Sequence, residues 1–165
     1  MDETTIMIRK ARMEDIKAIY GLLKHFGEKG LLLGRSLSSL YDQLRDFQVC
    51  LAGEQGQVVG VCALHICWEN LAEIRSLAIA DQWQGRGLGT RLIEACLAEA
   101  ARFGITRVFT LTYQPLFFKR LGFRAIDKNE LPHKVWSDCI HCPKFPDCNE
   151  EALIWEQERA GSLAA

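Results

Sequence analysis

Residues 82–92, QWQGRGLGTRL, carry three glycines within five positions, at 85, 87 and 89, directly after an apolar run and before residues with helical spacing. Where a strand gives way to a helix, the first helical N–H groups have no intrahelical partners and point outward, so such an end attracts anions. Glycines there remove the Cβ atoms that would hold a phosphate away, and they allow backbone angles that aim several N–H groups at one point. The chemistry expected is the binding of a phosphate or pyrophosphate. Spacing narrows the owner of the loop. A dinucleotide fingerprint needs GxGxxG, but Thr90 stands three residues after Gly87; a P-loop needs Lys and then Ser or Thr after its last glycine, but Thr90 and Arg91 follow Gly89. What remains is QxxGxG, with Gln84, Gly87 and Gly89. The competing structural reading is a glycine turn that only lets a helix and a strand pack closely.

A second group, CIHCPKFPDC, places Cys139, Cys142 and Cys148 around His141. CxxC is a metal-ligand spacing, but there is no second CxxC, and His141 lies between the pair, where it seldom shares their metal. Reduced thiols in a loop are expected, with no metal.

The elements that must position these groups follow from periodicity. TTIMIRKA (4–11) reads as a strand, and Met13 to Lys24 as a helix carrying Ile16, Ile19, Tyr20 and Leu23. RSLSSLYDQLRDF reads as a second helix with Ser36 as N-cap and Leu37, Leu40, Tyr41 and Leu44 on one face. FQVCLAGEQGQVVGVCALHICW is a hairpin turning at 53–56, and AEIRSLAIA (72–80) is the strand that feeds the glycine loop. A helix from about Gly89 to Phe103 stops at Gly104, followed by strand RVFTLTY (107–113) and a short helix in QPLFFKRLGF ending near Gly122. FRAIDK and EALIWE supply two last strands. The order βααβββαβαββ implies a mixed α/β architecture.

The 165 residues suit one compact domain, 1–165, with a Cys/Pro-rich insertion at about 129–150. Hydrophobic residues make up 48% and the net charge is -1, with no basic stripe, which excludes a nucleic-acid partner. The opening MDETTIMIRKA lacks a signal-peptide pattern and no apolar run approaches bilayer-spanning length, so a soluble cytoplasmic protein without a membrane partner is expected. Seven cysteines, mostly inside apolar segments, form no disulfide framework.

With these features in place, the sequence resembles the GCN5-related N-acetyltransferases, whose signature (Q/R)xxGx(G/A) lies between the fourth strand and the third helix and is met by Gln84 to Gly89. The junction FFKRLGF (117–123) is similar to that family's as well. The resemblance implies a central, mixed, mostly antiparallel sheet flanked by helices, with a splayed strand pair that binds acetyl-CoA. It implies that Leu77, Ala78 and Ile79 border pantetheine, and that Gln84, Gly85, Arg86, Gly87, Leu88, Gly89 and Thr90 hold the pyrophosphate. Phe118 would lie near the cofactor.

GLLLGRSLSSLYDQLRDF (30–47), AEIRSLAI (72–79), VFTLTYQPLFFKRLGF (108–123) and LPHKVWSDCIHCPKFPDC (131–148) resemble, more narrowly, the acetyltransferase domain of bacterial amino-acid N-acetyltransferases, the N-acetylglutamate synthases. Long members carry a further arginine-binding domain, and short ones like this chain are expected to lack it. The implied reaction is acetylation of the α-amine of L-glutamate, the first step of arginine biosynthesis. Alternatives are glutamine, aspartate or a protein amine as acceptor, or an acyl-CoA-binding regulatory module without turnover. A homodimer is compatible with all of these.

Residue chemistry agrees with an acidic amino-acid acceptor. On a strand Glu73 and Arg75 project to one face. The substrate ammonium must lose a proton before it attacks, and Glu73 is the candidate general base, its structural alternative being an ordinary ion pair. Carboxylates call for Arg, whose planar fork binds them bidentately, and Arg35 and Arg75 are the candidates. Ser36 could join Arg35 in carboxylate binding or simply cap its helix. Lys134 is a third cation, with a solvated surface lysine as its alternative. Many relatives place a tyrosine where Phe118 stands; since Phe donates no proton, Tyr113, Thr112 or water is left to protonate the departing thiolate.

Overall fold

The computed structural model describes residues 5–32, 34–132, 135 and 150–157. Cys139, Cys142, Cys148, His141 and Lys134 lie outside them. The expected element order is the observed one: β1 (Ile6–Lys10), α1 (Ile16–Glu28), α2 (Leu37–Asp42), β2 (Phe47–Ala52), β3 (Gln57–Trp68), β4 (Leu71–Ile79), α3 (Leu88–Arg102), β5 (Arg107–Thr112), α4 (Pro115–Arg120), β6 (Arg124–Ile126) and β7 (Glu151–Glu156). The strands form a mixed, mostly antiparallel sheet in the order β1-β2-β3-β4-β5-β7-β6. No helix among the described residues is long and apolar enough to cross a membrane.

The chain divides into two compact units, residues 1–64 with 74–98, and 65–73 with 99–165. In the first, β1 pairs antiparallel with β2, and β2 with β3 through a shift in register between Cys50 and Leu51. Ile16, Ile19 and Leu23 of α1 and Leu40 of α2 are fully buried against Phe47, Val49 and Val61 of the sheet. The apolar period of α1 is therefore a core face, as its spacing requires.

One expectation fails at α2. The helix stops at Asp42, because Gln43 leaves the helical region at φ -109 and ψ 17, and a 3₁₀ turn, Leu44–Asp46, follows. Of the four apolar residues expected on one helical face, Leu40 is fully buried and Leu44, beyond the helix, is partly buried against the same core, while Leu37 and Tyr41 are exposed. Six residues make fewer than two turns, so the helix seats one anchor in the core.

Asp15, just before α1, is buried and takes a bidentate bond from Arg9, Nη1 to Oδ2 at 2.7 Å and Nη2 to Oδ1 at 3.1 Å, with the Arg12 N–H donating to Oδ2 at 2.7 Å. Burial raises its pKa, but the Arg9 and Arg12 bonds outweigh burial and hold the carboxyl below its usual range. A depressed folded pKa stabilises above the unfolded value of about 3.9, and the benefit is lost as pH falls through the folded value. Asp15→Asn is expected to cost about 1.5–3 kcal/mol at neutral pH. The deficit should shrink in denaturant titrations as pH falls below about 3.9 and the Asp15 carboxyl becomes protonated.

Gly60 of β3 permits a close approach in the same unit. A Cβ there would stand 2.8 Å from Ile79 Cδ1, 3.2 Å from Leu92 Cδ1 and 3.3 Å from Cys50 Cβ. The end of β4 and the first turns of α3 thus pack over a residue with no side chain. Gly60→Val is expected to lower unfolding stability by about 1–3 kcal/mol through overpacking, read as a lower denaturant midpoint. Cys50, Cys62 and Cys96 are buried in this unit as free thiols. A hydrogen bond with Cys96 and then burial push Cys62 well above the usual thiol range, which keeps it protonated and unreactive.

In the second unit β5 pairs antiparallel with β7, and β7 with β6. Cys67, Leu71, Phe109, Leu131, Val135, Ala152 and Ile154 form its core. The β3–β4 turn is tied down by Asn70, whose Oδ1 accepts from the Thr106 N–H at 2.6 Å. The parallel ladder of β4 and β5 consists of Ala72↔Val108 and Glu73↔Phe109 and ends at Glu73.

Candidate active site

Past Glu73, β4 runs on through Ile74, Arg75 and Ser76 to Ile79. Ser76 takes φ +57, left-handed backbone that a regular strand does not contain and that costs a non-glycine residue about 1–3 kcal/mol. No sequence signal marks it. Ala78 is buried in the core of the first unit, and Leu77 and Ile79 are half-buried.

β4 delivers the chain to the glycine loop through a 3₁₀ turn, Asp81–Trp83. Gly85 and Gly87 adopt φ +76 and +77, which side chains rarely adopt, and the space where a Cβ would sit is open at both. Gly89 lies inside α3. The Arg91 N–H bonds the Gly87 carbonyl at 3.2 Å. The N–H groups of Leu88, Gly89 and Thr90 precede that bond and belong to the outward-pointing end of α3. This backbone fits a pyrophosphate, with α3 adding its positive dipole end.

Side chains of the loop mostly hold the loop itself. Gln84 Nε2 donates to the Ile79 carbonyl at 3.0 Å and to Asp81 Oδ1 at 3.5 Å. Asp81 in turn meets His25 Nε2 at 3.0 Å and Lys29 Nζ at 3.6 Å, both from the C-terminal end of α1. The His25 bond foremost holds the Asp81 carboxyl below its usual range. Arg86 lies over the Trp83 ring at 4.5 Å and donates to the Gln82 carbonyl at 3.4 Å.

The two arginines singled out by sequence come together in the first unit. Arg35 Nη1 and Arg75 Nη2 each donate to Oε1 of Gln43 at 3.1 Å. Two unit charges about 6 Å apart repel by about 1 kcal/mol in water and about 3 kcal/mol at an effective dielectric near 20. Bringing them together therefore needs a structural cause, and Gln43 supplies one. Arg35 reaches this point from the loop after α1. A Cβ on Gly27 would be 3.3 Å from Gly34 Cα, so the loop folds closely against the helix end. A cavity of about 350 Å³ opens there, lined by Tyr20, Lys24, Gly27, Glu28, Gly34 and Arg35. The buried Nε of Arg35 makes no hydrogen bond among the described residues.

Ser36 does what an N-cap does, its Oγ accepting from the Ser39 N–H at 3.1 Å. Gln43 was not anticipated, because the sequence pattern absorbed it into a longer helix.

Glu73 and the remaining candidates belong to the second unit. Glu73 is half-buried on β4. Thr112 is buried, its hydroxyl oxygen accepting from the Gln114 N–H at 2.9 Å, and half-buried Tyr113 follows it in the link between β5 and α4. Phe118 is buried between the rings of Phe117 and Phe123, each 5.2 Å away and edge-on.

Residues 17–123 match the family model described as Acetyltransferase (GNAT) family. An uncharacterised N-acetyltransferase of Chlorobaculum tepidum is 39% identical over 147 residues, covering 89% of this chain and 94% of the relative. An amino-acid acetyltransferase of Mycobacterium tuberculosis is 34% identical over 133 residues, covering 80% of this chain and 76% of the relative. Among solved structures, N-acetylglutamate synthase from Neisseria gonorrhoeae, complexed with coenzyme A and N-acetylglutamate, matches with a TM-score of 0.84 and 29% identity over 96% of this chain. This chain spans 36% of that protein's length.

Proposed function

The chain belongs to the acetyltransferase (GNAT) family, with acetyl-CoA as donor, and from that premise we propose that it acetylates the α-amine of L-glutamate. The observation that carries this reading is the meeting of Arg35 and Arg75 on one amide oxygen, since two fixed guanidiniums suit an acceptor bearing carboxylates. The names of the M. tuberculosis and N. gonorrhoeae relatives support it, and make the first step of arginine biosynthesis the proposed place of the reaction.

Acetyl-CoA supplies a thioester whose acetyl carbon accepts an amine and whose sulfur leaves as a thiolate. In the proposed division of labour, the backbone N–H groups from Gln84 to Thr90 hold the pyrophosphate, Leu77, Ala78 and Ile79 border pantetheine, and Phe118 packs near the cofactor. Arg35 and Arg75 bind acceptor carboxylate, with Ser36 and Thr112 completing the acceptor contacts. Glu73 takes the proton that the ammonium must lose before its nitrogen can attack. Tyr113 returns a proton to the thiolate.

Thiol release from acetyl-CoA, followed across a panel of free amino acids, tests the reading. Glutamate is expected to give the highest kcat/KM. Acetyl-CoA binding without turnover of any amino acid would overturn it.

A further inference from the structure

We propose that Gln43 is a positioning residue that makes the arginine pair selective for a carboxylate-bearing acceptor, a role that rests on the acceptor reading of Arg35 and Arg75. Its carboxamide oxygen takes Arg35 Nη1 and Arg75 Nη2 at the same 3.1 Å, so those two nitrogens lie no farther apart than the two bonds together allow. Both are then within reach of a single carboxylate, whose two oxygens can accept from both forks.

The root of the Gln43 side chain is fixed from both sides. Its N–H donates to the Ser39 carbonyl at 3.0 Å, and its carbonyl accepts from the Asp46 N–H at 2.9 Å. The helix before it is capped by Ser36 and anchored by the fully buried Leu40. A pivot held this firmly orders two long side chains before any ligand arrives, which lowers the entropy lost on binding.

The chemistry of the pivot matters as much as its place. An amide oxygen accepts two N–H bonds but has no formal charge, so it aligns the guanidiniums without cancelling either charge. A carboxylate at the same position would accept the same bonds more strongly and would compete directly with the carboxylate of the acceptor. This separates a positioning role from a merely structural one. If Gln43 only braces the fold, Gln43→Glu is benign or stabilising, whereas if it keeps the pair available to a carboxylate, Gln43→Glu is the more damaging of two isosteric changes.

The test compares full-length wild type, Gln43→Glu and Gln43→Met for thermal midpoint, KM for acetyl-CoA, and kcat and KM for glutamate and for its uncharged side-chain amide, glutamine. Gln43→Glu is expected to raise the KM for glutamate by at least about tenfold. Its KM for acetyl-CoA should stay within about twofold, its thermal midpoint should be unchanged or higher, and its preference for glutamate over glutamine should fall. Gln43→Met loses the acceptor oxygen but adds no charge, and should raise the KM for glutamate by a smaller factor. A KM within about twofold of wild type in Gln43→Glu, equal damage from both variants, or a lowered midpoint in Gln43→Glu would each overturn the proposal. Where wild type turns over glutamate and Arg35→Ala raises KM, such a result removes the role of Gln43 alone. Absence of amino-acid turnover by wild type would overturn it together with the acceptor reading.

Discussion

Glu73→Gln is expected to lower kcat for amino-acid acetylation by about 100- to 10,000-fold, about 3–5 kcal/mol of transition-state stabilisation. KM for acetyl-CoA should change by no more than about twofold, because the loop expected to hold the donor lies beyond the end of β4 and uses backbone groups. The substitution keeps the shape of the side chain and removes only its capacity to take a proton. An amino acid arrives as an ammonium with no lone pair to attack, so a variant without the base depends on the small fraction of free amine in solution. Its residual rate should therefore climb about tenfold per pH unit below the pKa of the substrate amine, more steeply than that of wild type. Steady-state thiol release across pH, with both substrates varied, measures this. An unchanged kcat would remove Glu73 from the chemistry.

Arg35→Ala and Arg75→Ala are each expected to raise KM for the acceptor amino acid by about 10- to 150-fold, the equivalent of about 1.5–3 kcal/mol for a charge-assisted hydrogen bond. kcat should change much less, since a carboxylate is held alike in ground and transition states. The two effects should not add. Both guanidiniums share Gln43 Oε1, so removing one also releases the other from its neighbour and from part of the shared constraint. The double variant should fall short of the sum of the singles by an amount that a double-mutant cycle reads directly. Unchanged acceptor KM in both single variants would exclude the pair as the acceptor clamp.

How much of this was legible in advance varied with the range of the interaction. The turn between β2 and β3 and the stop of α3 at Gly104, where φ is +77, follow from features within a few residues. So does the Ser36 cap. At α2 the same reasoning overreached, because Leu37, Leu40, Tyr41 and Leu44 satisfy a helical period, and only packing shows that Leu40 is fully buried and Leu44 partly so while Leu37 and Tyr41 stay exposed. The glycine loop was readable from spacing as a turn that opens a helix, with positive φ at Gly85 and Gly87. That Gln84 spends its amide on Ile79 and Asp81, with His25 and Lys29 closing on Asp81, was not readable, since α1 and the loop lie far apart in sequence.

Sequence by itself determined the order of elements and the turn backbone at Gly85 and Gly87, and it singled out Glu73, Arg35 and Arg75 as the candidates on which the proposed acceptor chemistry rests. Each depends on residue type and on periods of two or 3.6 residues, which are local. Only the tertiary structure decided that Arg35, from the loop after α1, and Arg75, from β4, end on the same oxygen of Gln43. Residue types do not encode that meeting. It arises where α2, seated on Leu40, and the strand carrying Arg75 bring distant side chains to one point, and a single neutral amide there holds two like charges together.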